Sequence, residues 1–264
     1  MSNVSSELIR VSGYSRDGFA ERYDENRPPP PPVLLDVLCG HAQSERPVLV
    51  VDLGCGTGLS TRAWAGRARE VIGVEANAAM VKAARERTSE WTVRYVEGFS
   101  SDTGLPEECA DIATCSQSFH WMEPDPTLAE VARILRPGGV FAAYDYDVPL
   151  VIHPDVDEAF GRYLSERRQA RQKRRIEMGA SRWPKEEHLA RIDASGLFGY
   201  AREIVLHGTC AGGVDRVVGL AHSIGPYLGE LDPQLDELHE VGERVLGDRV
   251  VGWLIGYRVR LAVK

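Results

Sequence analysis

Positive charge is scarce in this chain. Lys and Arg number 31 against 39 Asp and Glu, a formal charge of −8 with a pI near 5.5. Proteins that coat nucleic acid carry the opposite balance, so nucleic acid is not expected as a partner, although a local basic groove is compatible with these numbers. Long apolar runs are also missing: none approaches the roughly 20 residues needed to span a bilayer. The opening stretch MSNVSSELIRVSGYSRD has no apolar signal core. The five cysteines (Cys39, Cys55, Cys109, Cys115 and Cys210) are an odd number without a C-x-x-C pair. That suits reduced thiols in a cytoplasm better than disulfides or zinc. The histidines are scattered, no carboxylate pair sits with His at ligand spacing, and no metal is expected. These absences fit a cytoplasmic globular protein with no membrane partner; it is expected to be a monomer or homodimer. Its 264 residues, 43% hydrophobic and 27% charged, suffice for one large α/β domain or one domain with an insertion.

What is present is concentrated in residues 48–61, VLVVDLGCGTGLST. An apolar run ended by glycines reads as a buried parallel strand. Gly54, Gly56 and Gly58 then allow a sharp turn and a close approach to a ligand. Residues 59–68 begin a helix whose first free N–H groups face the same ligand. A dinucleotide site needs G-x-G-x-x-G. Counted from Gly54 the third glycine falls on Leu59, and counted from Gly56 it falls on Thr61, so neither register fits. Asp52 stands two residues before the first glycine, where an acid repels a pyrophosphate and favours a cationic ligand. In this D-x-G-x-G-x-G run the chain resembles the class I S-adenosylmethionine (SAM)-dependent methyltransferases, whose first motif has this form. The resemblance implies SAM as cofactor. It covers residues 20–150 through ordered motifs and residues 200–264 by pattern.

The remaining order agrees with an α/β fold: a doubly wound, seven-stranded Rossmann-like sheet with a C-terminal antiparallel hairpin and a helical cap. Strands are expected at 48–53, 71–75, 93–98, 110–118 and 140–147, with helices at 33–42, 77–88 and 126–135 between them. Residues 1–32, ending in the run Pro28 to Pro32, form an N-terminal arm or lid. It holds one short helix around Gly18–Tyr23. Residues 33–150 form the SAM-binding core and 151–200 a helical cap insertion. Residues 201–264 complete the sheet with strands at 202–210 and 253–263, around helices that turn at Asp232-Pro233.

Site candidates follow from the rule that ligands lie beyond the C-terminal ends of the strands. Asp52 and Gly54 should hold the methionine end of SAM, Asp52 directly or through water. Gly56 and Gly58 keep the loop thin. Glu75 closes strand two, where a carboxylate accepts both ribose hydroxyls. Ala76 and Met80 are placed to pack on adenine. Related families read G-D-A-x after strand three; here Phe99 replaces the aspartate, stacking on adenine while Ser100 bonds to it. Ser116 ends strand four beside the cofactor. The run Gln117-Ser118-Phe119-His120-Trp121 resembles the Q-x-x-H-W of trans-aconitate-type carboxyl methyltransferases. His120 is a candidate general base, a substrate contact or a structural cap. Tyr146, with Tyr144, Asp145 and Asp147 at the end of strand five, is the second catalytic candidate. Tyr23-x-x-x-Arg27-Pro28 resembles the Y-x-x-x-R-P of small-molecule methyltransferases, which implies that Arg27 pairs with the SAM carboxylate. Tyr14, Tyr23, Trp121, Trp183 and His222 are substrate candidates, and Tyr227 and Trp253 are further pocket residues. The basic cluster Arg167–Arg175 is either a solvated helix face or a selector of acidic substrates. No N-P-P-Y or D-P-P-Y tetrad follows strand four, which disfavours adenine and amide nitrogens as targets. The favoured activity is O-methylation of a small molecule at a carboxylate or hydroxyl. Its rivals are a methyltransferase of RNA or another macromolecule, and a SAM-binding protein without transferase activity.

Overall fold

The computed structural model describes residues 19–178, 183–224 and 233–264. Tyr14, Tyr227 and Asp232 lie outside them. Seven described strands form one sheet: β1 (Leu49–Leu53), β2 (Glu70–Glu75), β3 (Val93–Glu97), β4 (Ala110–Ser116), β5 (Leu135–Tyr146), β6 (Tyr200–Gly212) and β7 (Val251–Val263). Their order is β3-β2-β1-β4-β5-β7-β6. Strands β1 to β5 are parallel, and β7 inserts antiparallel between β5 and β6. The chain reverses its direction of travel across the sheet between β1 and β4, which opens the crevice where such sheets bind ligands. The arm contributes α1 (Phe19–Asn26), which precedes α2 (Pro32–His41). Proline at the first turn of α2 has no N–H to leave unpaired there. Helix α3 (Leu59–Arg62) follows the glycine turn, and α4 (Ala78–Glu86) follows β2. Asn77 caps α4, its side chain accepting from the N–H of Ala79 at 3.0 Å and of Met80 at 3.4 Å.

Alternation along the strands sorts side chains into two apolar layers. Val140, Ala142, Tyr144 and Tyr146 of β5 enter one, together with Leu34 and Leu38 of α2. That layer continues into α6 (Pro154–Met178), α8 (Val214–Ser223) and α9 (Pro233–Leu246) through Phe160, Leu220 and Leu238. Phe141 and Ala143 enter the other, with Val131 of α5 (Pro124–Ile134) and Ile192 of α7 (His188–Ala194). Each fully buried aliphatic side chain contributes about 1.5–3 kcal/mol relative to exposure.

Two expectations shift. The helix expected over 59–68 stops at Arg62, and the chain turns through Gly66 at a left-handed φ of 74°. Strand β5 begins at Leu135 rather than 140, because Leu135 pairs with Ala110 before the register shifts. The last two strands pair antiparallel along their whole lengths, from Tyr200↔Val263 to Gly212↔Val251, with α8 and α9 between them in sequence, as expected. Among the described residues no helix is long and apolar enough to cross a membrane.

Candidate functional site

Strand β1 delivers Asp52 to the base of the glycine turn. Its carboxylate is fully buried and accepts hydrogen bonds from Ser60 Oγ at 2.6 Å, Thr61 Oγ1 at 2.7 Å and Thr114 Oγ1 at 2.9 Å. Asp52 thus ties β1 to the start of α3 and to β4. Gly54, Gly56 and Gly58 all have left-handed φ, at 64°, 56° and 81°. A Cβ on Gly54 would strike Met122 and Ser118, and one on Gly58 would strike the Tyr95 ring. Above Gly56 the space is open. Glu75 ends β2 beside it, its Oε2 accepting from Gly56 N at 3.0 Å and its Oε1 from Asn77 N at 2.9 Å. Ala76 is half-buried and Met80 buried at the start of α4. Phe99 is 45% exposed, leaving its ring face available, while the Ser100 hydroxyl lies 3.0 Å from Thr127 Oγ1.

A cleft opens beside this turn. Gly54, Cys55, Leu59 and Ser60 line one side, Ser116, Gln117, Tyr144, Tyr146 and Tyr257 the other, and Tyr23, Arg27, Pro28 and Pro30 of the arm close it. No Asp or Glu is among its described lining residues. Arg27 is buried and stacks on the Tyr23 ring at 4.1 Å, while its Nη2 donates to Ser223 O at 2.8 Å and its Nε to Ser223 Oγ at 3.2 Å. These bonds pin the arm to α8, a role the Y-x-x-x-R-P resemblance did not include. The arm is also latched to the glycine turn. Asp24 accepts from Thr57 Oγ1, pairs with Arg62 Nη2 at 2.5 Å and lies 3.6 Å from Arg87 Nε. Losing a partly buried charged contact costs about 1.5–3 kcal/mol. Asp24→Ala is therefore expected to loosen the arm, weaken cofactor binding about tenfold or more, and speed amide hydrogen exchange over residues 23–30. Unchanged exchange there would rule out the latch.

Residues 51–143 match the family model described as a methyltransferase domain. The chain is 33% identical over 141 residues to a malonyl-[acyl-carrier protein] O-methyltransferase of Pectobacterium atrosepticum, covering 53% of each chain. It is 30% identical over 161 residues to a protein of Saccharomyces cerevisiae named as a probable S-adenosylmethionine-dependent methyltransferase, covering 59% of this chain and 54% of that one. A solved structure of a candidate type II methyltransferase from Anaeromyxobacter dehalogenans shares the fold, with a TM-score of 0.64 at 23% identity over 90% of this chain and 97% of that one. Residues 51–143 form a methyltransferase domain, similar to those of SAM-dependent methyltransferases. The chain spans about half the length of the curated relatives it matches. The family's cofactor is SAM, and the residues present fit it. Open space over Gly56 admits a ligand, and Glu75 stands beside it with acceptor capacity beyond its two backbone bonds.

The methyltransferase domain does not bring the two catalytic candidates together. Tyr146 lines the cleft, but His120 is not among the lining residues. The cause is the two-residue period of β5. Tyr144 and Tyr146 face one apolar layer, so Asp145 between them faces the other. His120 sits there, buried in the turn Phe119–Trp121, with Nδ1 3.8 Å from Asp145 Oδ1. Asp145 pairs with Lys185 Nζ at 2.5 Å and with Arg260 Nη1 at 3.2 Å, and Arg260 Nε reaches Glu203 at 2.8 Å. Nearby His188 is held down to about 3 by burial and by Arg260, Arg191 and Lys185, so its ring is neutral. His120 thus belongs to a buried charged cluster, which favours its structural reading. The half-buried Trp121 lies beside it, with ring centroids 5.4 Å apart. Trp183 donates its N–H to His120 O at 3.0 Å and lies 5.2 Å under Arg191, which secures that segment over the turn. His222 occupies the last turn of α8, next to Ser223, and is not among the cleft residues. Within the basic cluster, Arg167 is buried and donates to Tyr163 OH at 2.9 Å, whereas Arg168 is exposed. The side chains of Arg171 to Arg175 lie outside the described residues.

Burial raises the Glu75 carboxyl above its ordinary value of 4.5, against the pull of backbone N–H donors, and raises Asp52 likewise. Each carboxyl accepts most strongly when ionised, and protonation turns one of its oxygens into a donor. Cofactor binding should therefore weaken as pH falls, beginning at a higher pH than an ordinary carboxylate would give. Calorimetric titration with S-adenosylhomocysteine between about pH 8 and about pH 5 checks this, and flat affinity across that window contradicts it.

Proposed function

We propose that this protein transfers the methyl group of SAM to an oxygen of a small-molecule acceptor. The observation that carries the reading is the cleft itself. It joins the glycine turn to the ends of β4 and β5, it is closed by the arm, and its lining combines apolar rings with hydroxyl, amide and guanidinium donors. Bound SAM supplies an electrophilic methyl carbon. The protein's part is binding, alignment and exclusion of water. Ser116 and Gln117 at the end of β4, with Tyr144 and Tyr146 at the end of β5, orient the acceptor. Burial raises the Tyr144 phenol well above its usual range, so it is a neutral donor rather than a base. An enclosed cleft roofed by Tyr23, Pro28 and Pro30 suits a small acceptor better than an RNA chain. The O-methyltransferase among the relatives supports an oxygen as the target.

The decisive measurement is turnover. Purified protein incubated with methyl-labelled SAM and a library of small acids, phenols and alcohols is expected to release S-adenosylhomocysteine and an O-methyl product. Tight binding of S-adenosylhomocysteine with no turnover across the library would favour a binding protein without transferase activity. Salt-sensitive RNA binding accompanied by RNA methylation would favour the macromolecular reading.

A further inference from the structure

Gln117 holds a conformation that a non-glycine residue rarely adopts, with φ of 54°, at the point where β4 enters the cleft. Its side chain is oriented by a neighbour. Lys185 Nζ lies 2.9 Å from Gln117 Oε1. An ammonium only donates, so it takes the carbonyl oxygen and leaves the NH2 group turned elsewhere. That Nε2 is buried, and no described residue accepts from it. Lys185 cannot swing freely, because Asp145, itself buried, holds the same ammonium at 2.5 Å. On the neighbouring strand the Tyr144 hydroxyl is buried, and the Ser116 hydroxyl is the described side chain that hydrogen-bonds to its oxygen, which leaves the phenol O–H to donate. Both residues line the cleft, and the one charged lining side chain among those described is the cation Arg27. Buried donors without acceptors are uncommon in folded proteins unless a ligand completes them.

Resting on the methyl-transfer reading above, we propose that Gln117 and Tyr144 select a carboxylate as the acceptor, with Lys185 and Asp145 as positioning residues that hold the Gln117 amide in its donor orientation. One carboxylate oxygen accepts from the Gln117 and Tyr144 donors. The other attacks the methyl carbon, an O–C bond forms as the C–S bond breaks, and the electron pair goes to sulfur. The products are a methyl ester and S-adenosylhomocysteine. The acid enters ionised, so no proton has to be removed, in keeping with a lining that holds no described carboxylate or imidazole.

The test uses the full chain, methyl-labelled SAM, and a panel of aliphatic and aromatic carboxylic acids with the alcohols of the same skeletons. The acids are expected to be methylated and the alcohols refused. Gln117→Leu should lower kcat/KM for the best acid at least tenfold, mostly through KM, with the Kd for S-adenosylhomocysteine within twofold of wild type. Gln117→Glu should lose more, since it places an anion against an anion. Lys185→Met should lose severalfold, and adding it to Gln117→Leu should cost nothing further, because it acts through that amide. Preference for alcohols, no methylation of any acid by a chain that binds S-adenosylhomocysteine, or an unchanged kcat/KM in Gln117→Leu would each overturn the proposal. Additive losses in the double variant would remove Lys185 from it. If the wild-type chain does not bind S-adenosylhomocysteine at all, the methyl-transfer reading fails instead.

Discussion

Glu75→Ala is expected to weaken binding of SAM and of S-adenosylhomocysteine by about a hundredfold or more. A hydrogen bond to a charged group contributes about 1.5–3 kcal/mol, and on the proposed reading the carboxylate accepts from two ribose hydroxyls. Losing both corresponds to roughly 100- to 10,000-fold in affinity. The same substitution removes the acceptor for Gly56 N, at 3.0 Å, and for Asn77 N, at 2.9 Å. It therefore also loosens the backbone on which the ligand rests. Glu75→Gln keeps one acceptor oxygen and should lie between the alanine variant and wild type. Calorimetry with S-adenosylhomocysteine measures both, and an alanine variant binding within tenfold of wild type would remove Glu75 from the cofactor site.

Asp52→Ala is expected to act on the fold before it acts on the ligand. Three hydroxyls, from Ser60, Thr61 and Thr114, lose their common acceptor in a fully buried place. Relief from burying a carboxylate offsets part of that cost, leaving about 2–4 kcal/mol. In a chain of this size that lowers the melting temperature by roughly 4–16 °C. Cofactor affinity should fall with it, since α3 no longer stands fixed behind the glycine turn. Asp52→Asn retains an acceptor oxygen and should lose less of both. A melting temperature within about 2 °C of wild type for the alanine variant would contradict this account.

The parts of this protein legible in one dimension are those built by neighbours in sequence. Strand β1, the glycine turn and Glu75 follow from an apolar run, from three residues able to hold left-handed φ, and from a spacing of twenty-one positions between Gly54 and Glu75. The strand–helix alternation required a parallel sheet. The positions that escaped depend on which way a side chain turns. Asp52 reads as a ligand group because it precedes the glycines, and only the fold shows that it also gathers three hydroxyls from α3 and β4. His120 and Tyr146 read as alternative bases because both lie at strand ends, yet Tyr146 enters one apolar layer from β5 while His120, in the turn after β4, lies against Asp145 on the other face. Lys185 carried no signal in the sequence, since its partners Gln117 and Asp145 come from distant segments.

By itself, then, the order of residues determined a nucleoside-binding α/β sheet and the turn that receives the cofactor, because hydrophobic periodicity and glycine conformation are local properties of the chain. Which polar groups line the cleft was settled only in three dimensions. That outcome depends on strand register, on the face each side chain takes, and on contacts such as Lys185 to Gln117 and Arg27 to Ser223, which bridge segments 68 and 196 residues apart.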